Sequence, residues 1–183
     1  MPESSLKQCP EWLQPLVIAV QFLTRIPMPD IGLVADSVAG RSILCYPVVG
    51  ACIGLLLWCA QLLLNLLWPQ DWQLQASLIL ALWCLLTGGL HLDGLADSAD
   101  AWVGGFGSRE RTLELMKDPT CGPMAVMLLV VVLLIKFAAL TSLLAANPVW
   151  LIVVPLLARA YLLLLFMTTD YVRAGGLGDV LSK

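Results

Sequence analysis

The chain has 183 residues, 60% of them hydrophobic and 13% charged, with a formal net charge of −3. Soluble domains carry roughly 25% charged residues. That low charge and a mean hydropathy of +0.88 exclude an ordinary soluble domain and predict an all-α, polytopic membrane helical bundle, a single integral-membrane domain over residues 1–183. Pro2 to Gln14 has neither a basic start nor an early apolar run ending in a cleavage site, so no signal peptide is read there. The six cysteines form no CxxC pair; Cys45, Cys52 and Cys59 recur every seven residues inside one apolar run and read as packing residues.

Glu11 to Ile26 has a helical pattern with Gln14, Gln21 and Arg25 on one stripe, too short for the about 20 residues a crossing needs. It is expected to be an interfacial helix ended by Pro27 and Pro29. Asp30 to Arg41 reads as polar loop. Ile43 to Trp68 is a first span with a Gly50…Gly54 pair that permits close helix contact. Trp68-Pro69-Gln70-Asp71-Trp72 is a turn with interfacial tryptophans. Trp72 to Gly89 is a second span.

The stretch from Gly88 to Trp102 holds the chain's only histidine, His91, and three aspartates. Asp93, Asp97 and Asp100 stand at i, i+4 and i+7, which puts three carboxylates on one face of a helix. At bilayer centre three aspartates would cost on the order of 10 kcal/mol, so the second span must end before them, in water or in a wet pocket at the membrane surface. Carboxylates without soft neighbours suit Mg²⁺, which keeps waters and bridges to a substrate phosphate. A solvated acidic face is the plainer alternative. Gly104-Gly105-Phe106-Gly107 is read as a flexible turn, or as backbone that approaches a phosphate. Ser108 to Lys117 follows as a short amphipathic helix. Met124 to Ala146 and Val149 to Thr169 are the third and fourth spans, and Asp170 to Lys183 is a polar tail.

Lys and Arg fall before span one, between spans two and three, and after span four; the two intervening turns carry none. The positive-inside rule then puts the connection over residues 90–121 of a multi-pass protein in the cytoplasm. Lys136 and Arg159 sit near mid-depth of spans three and four with no acid at comparable depth. Intramembrane cations mark functional sites by default, with snorkelling or a bond to a carbonyl as the structural alternative. A cytoplasm-open cavity with a positive floor would suit a polyanionic substrate.

The stretch Thr87-Gly88-Gly89-Leu90-His91-Leu92-Asp93-Gly94-Leu95-Ala96-Asp97, with Asp100 and then Met116-Lys117-Asp118, resembles the cobalamin synthase family, the adenosylcobinamide-GDP ribazoletransferases. Further matching pieces are Gln21 to Pro27, Arg41-Ser42, Tyr46 to Gly50, Lys136, Arg159 and Arg173 to Gly178, so the resemblance covers nearly the whole chain. The chain departs at Pro119-Thr120, where many relatives carry Ser-Arg. Relatives also continue past its last residue, so a C-terminal part is expected to be missing.

The resemblance implies that the ribose 3′-hydroxyl of α-ribazole, or of its 5′-phosphate, attacks the cobinamide-linked phosphate of adenosylcobinamide-GDP and displaces GMP. It implies Mg²⁺ on Asp93 and Asp97, with Asp100 as third ligand or base and His91 as the rival base. Arg41, Lys117, Asp118, Lys136 and Arg159 are the expected substrate contacts. Expected partners are the two substrates and membrane lipid, with a second copy or other enzymes of the pathway also open, and no nucleic acid. Two other readings compete. A CDP-alcohol-type phosphotransferase also begins its motif Asp-Gly, but Asp97 stands where its arginine would be. A polytopic transport protein would use Lys136, Arg159 and the acids as an ion path.

Overall fold

The computed structural model describes residues 10–29, 31, 36–116, 118 and 120–169, without the side chains of Asp36 and Ser37. Every regular element among them is helical: α1 Gln14–Leu23, α2 Asp36–Ser42, a 3₁₀ turn Ile43–Cys45, α3 Tyr46–Leu67, α4 Trp72–Thr87, α5 Leu90–Gly104, α6 Arg109–Leu115, α7 Pro123–Ala146 and α8 Trp150–Thr168. The all-α polytopic class therefore holds. Three segments are long and apolar enough to cross a membrane: Val38–Leu67, Pro123–Ala146 and Trp150–Thr168. A fourth crossing exists if α4 and α5, bent by 86°, count as one.

The chain packs as two compact units, residues 1–54 with 152–183, and residues 55–151. In the first unit α1 packs on α2 and on the 3₁₀ turn. Helix α1 is shorter than the pattern predicts, because the chain turns extended at Thr24. The Thr24 hydroxyl donates back to the Val20 carbonyl at 2.8 Å and accepts from the Ile26 amide at 3.2 Å. Ile26 also precedes a proline, which disfavours helix there. Arg25 thus falls beyond the helix instead of on its stripe. Residues 36–41, expected as part of the loop from Asp30 to Arg41, form α2 together with Ser42, and Ala39 and Ser42 are buried. Tertiary burial, not periodicity, makes that helix. In the same unit α3 meets α8 at Gly50, where an added Cβ would stand 2.6 Å from the Pro155 carbonyl oxygen and 3.0 Å from Leu156 Cα.

In the second unit α3 leads into α4 through a turn capped by Asp71, whose carboxylate accepts from the Leu74 amide at 3.2 Å. The fully buried Gln75 donates to the Trp68 carbonyl at 2.7 Å and accepts from Gln61 at 3.3 Å. Such polar contacts hold apolar helices together where no hydrophobic driving force acts between them. Helices α4 and α5 both pack on α7, and α6 packs on α5. Gly104 and Gly105 serve that last contact: a Cβ on Gly104 would lie 2.8 Å from Leu115 Cδ1, and one on Gly105 would overlap Thr112. The glycine cluster is therefore a close-packing corner.

Candidate active site

The expected second span becomes α4, sixteen residues long. At 1.5 Å per residue that is about 24 Å, short of the about 30 Å hydrocarbon core. Gly88 and Gly89, both left-handed at φ 62° and 70°, stop it and launch α5 at 86°. A side chain at either position would be strained, so this paired glycine break is what turns the acidic stretch away from the α4 axis.

Both arms of the break are fastened to the same helix. On the α4 side, Lys136 Nζ of α7 lies 4.6 Å from the centroid of the Trp83 ring. A cation on an aromatic face is attracted by the ring quadrupole, more so when desolvated. On the α5 side, Asp100 Oδ2 accepts from the Gly122 amide at 2.6 Å and Oδ1 from the Ala125 amide at 2.9 Å. Lys136 is about 20 Å along α7 from its start. Asp93 and Asp97 lie on the chain between these two fastenings. They belong to a helix laid against a membrane-spanning one, not to a loop standing clear of it.

On α5, Asp93 is exposed and Asp97 half-buried, on successive turns of one flank. Asp97 has a further interaction within the chain. His91 is exposed in the first turn. At 3.6 residues per turn it points about 160° around the axis from Asp93. The helix therefore does not bring the imidazole onto the carboxylate flank. Asp100 has a role beyond the expected third ligand or base: each of its oxygens accepts one backbone N–H, which leaves a second lone pair on each. No three His, Cys, Asp or Glu side chains are gathered about one point among the described residues. What fits Mg²⁺ is the pair Asp93 and Asp97: two hard carboxylates one turn apart, matching an ion that takes one or two carboxylates and completes its shell with water and substrate phosphate.

Of the other expected contacts, Lys117 lies outside the described residues. Asp118 is exposed and accepts from the Thr120 hydroxyl at 2.7 Å and the Thr120 amide at 2.9 Å. Those bonds, the hydroxyl first, hold its carboxyl below the ordinary carboxylate range. Arg41 is exposed near the end of α2. Arg159 is half-buried on α8, and its Cβ lies 3.1 Å from where a Gly50 Cβ would be. Arg41 and Arg159 belong to the first unit, the remaining candidates to the second. Sequence reading did not anticipate Trp83, Gly122 or Ala125. Gly122-Pro123 carried a signal for the last two: a helix start with no capping side chain of its own needs an acceptor from elsewhere.

These features define a polytopic all-α membrane protein whose acidic motif rides on the far arm of a broken helix. More particularly, the chain belongs to the cobalamin-5-phosphate synthase family, which it matches over residues 15–183. It is 59% identical over 165 residues to the adenosylcobinamide-GDP ribazoletransferase of Ectopseudomonas mendocina, covering 90% of this chain and 67% of that one. To the protein of the same name from Stutzerimonas stutzeri it is 56% identical over 169 residues, 92% of this chain and 68% of the other. For one from Pseudomonas aeruginosa the identity is 52% over 174 residues, 94% and 70%. The chain thus spans about two thirds of the length of these relatives. No solved structure matches it.

Proposed function

We infer that this chain joins α-ribazole, or its 5′-phosphate, to adenosylcobinamide-GDP with release of GMP, a late step of cobalamin synthesis. The observation that carries this reading is identity of 52–59% over about nine-tenths of the chain to relatives bearing that name. The site supplies chemistry that suits it. The 3′-hydroxyl oxygen forms a bond to the cobinamide-linked phosphorus, the bond from that phosphorus to GMP breaks, and the hydroxyl proton must go to a base.

Asp93 and Asp97 are proposed to hold Mg²⁺, which when bound neutralises charge on the phosphate oxygens. His91 is proposed as proton acceptor, imidazole being the commonest general base among side chains. That choice requires the two substrates to meet at the N-terminal end of α5, within reach of both flanks. Arg41, Lys117, Asp118, Lys136 and Arg159 remain proposed contacts for the anionic substrate. Basic residues between and around the spans support a cytoplasmic position for residues 90–121 in the inner membrane. Lipid, a second copy or other pathway enzymes are the proposed partners.

Membranes containing the chain should release GMP from adenosylcobinamide-GDP only when α-ribazole is present, and should not turn over CDP-diacylglycerol. Ion flux across liposomes without GMP release would replace this reading with the transport one.

Lys136 is the proposed contact whose surroundings argue most directly for an alternative role, because Trp83 already faces its charge. Lys136→Met removes the charge and keeps the length. If Lys136 also meets substrate, the KM for adenosylcobinamide-GDP should rise about tenfold, the worth of about 1.4 kcal/mol, with α-ribazole dependence unchanged. Unaltered kinetics in stably inserted protein would leave it a structural partner of Trp83.

A further inference from the structure

Helix α7 begins with Gly122 at its N-cap and Pro123 in its first turn. Its leading amides lack intrahelical acceptors, proline contributes none, and glycine has no side chain with which to cap. The acceptor is the Asp100 carboxylate, 22 residues upstream, which takes the Gly122 and Ala125 amides on its two oxygens. A negative group at this end of a 24-residue helix also meets the positive end of its dipole. Gly122 has φ −82°, a conformation open to any residue, so its backbone does not require glycine. Space does: an added Cβ would lie 2.7–2.8 Å from Oδ1, Cγ and Oδ2 of Asp100. The carboxylate and the glycine form a clasp in which each requires the other.

The clasp fixes more than a helix end. Asp100, Asp93 and Asp97 fall within about 60° of arc around α5. Holding Asp100 on the start of α7 therefore sets the rotation of α5 about its own axis, and with it the direction of the other two carboxylates. We propose that Asp100 is a positioning residue for this reaction: it caps α7 and, through that bond with Gly122 as its required partner, aims Asp93 and Asp97. This rests on the reading that Asp93 and Asp97 hold the metal.

The test uses the membrane-reconstituted protein with Mn²⁺ as probe, reading bound Mn²⁺ by electron paramagnetic resonance alongside GMP release per folded protein. Gly122→Ala leaves all three aspartates in place and only displaces the clasp. It and Asp100→Asn should each weaken Mn²⁺ binding and transfer by about 10–100-fold, the range for groups that orient metal ligands. Because both break one contact, the double variant should be little worse than either alone. If Asp100→Asn is severe while Gly122→Ala behaves as wild type, Asp100 acts directly as ligand or base and the proposal fails. It also fails if both variants lower only the amount of folded protein and leave Mn²⁺ affinity and turnover unchanged. Asp93→Asn is the separate control: retained Mn²⁺ affinity there overturns the metal reading itself, whatever the clasp variants do.

Discussion

Asp93→Asn should reduce transfer by at least about 100-fold while leaving the protein folded and inserted. Asparagine matches aspartate in shape, so the change isolates charge. Asp93 is exposed, so no core is disturbed. Its place in the first turn of α5 adds a stabilising interaction with the helix dipole of about 0.3–1 kcal/mol, and that part would be lost. A loss of this size moves a melting temperature by a few degrees at most and cannot explain a hundredfold fall in rate. Asp97→Asn should behave alike, and raised Mg²⁺ should recover part of either loss because affinity, not architecture, is what has been weakened. Transfer measured per folded protein across a Mg²⁺ titration decides the matter. A wild-type rate for Asp93→Asn at ordinary Mg²⁺ would end the assignment.

The crossing helices were legible because hydropathy over some 20 residues is a strong signal and lipid tolerates little else. Pro123–Ala146 and Trp150–Thr168 fall within a residue or so of expectation. Features decided by contact between distant residues were not legible. Gly88-Gly89 announced a helix stop, but neither the 86° size of the turn nor the contacts of Trp83 and Asp100 with α7. The three-aspartate spacing correctly implied one flank of one helix. It could not tell that the third carboxylate is committed 22 residues downstream, because glycine and proline at a helix start name the need for an acceptor and not its source. Helix α2 escaped for a related reason: seven residues carry too little periodicity, and burial of Ala39 and Ser42 supplies what pattern did not.

Gly50→Leu should prevent accumulation of folded protein, and Gly50→Ala should lower stability by about 1–3 kcal/mol, the usual cost of overpacking. The Cβ of even an alanine would stand 2.6 Å from the Pro155 carbonyl oxygen and 3.0 Å from Leu156 Cα. Those are backbone atoms, so no side-chain rotation relieves the clash, and α3 and α8 must separate locally. Separation forfeits the van der Waals packing that holds helices together in lipid. Gly40→Ala is the matched control: α2 also carries a glycine, but nothing lies within 4 Å of its added Cβ. That change should be neutral or stabilising by about 0.5–1 kcal/mol from helix propensity alone. Thermal unfolding in detergent, read for both variants, supplies the comparison. The alanine at Gly50 also lies 3.1 Å from Arg159 Cβ, so it should displace that guanidinium along with α8. If Arg159 meets the substrate, folded Gly50→Ala protein should show a raised KM for adenosylcobinamide-GDP, and Arg159→Lys should reproduce it by keeping charge while losing the planar fork. Equal stability of the Gly50 and Gly40 variants would mean that α3 and α8 do not pack through Gly50.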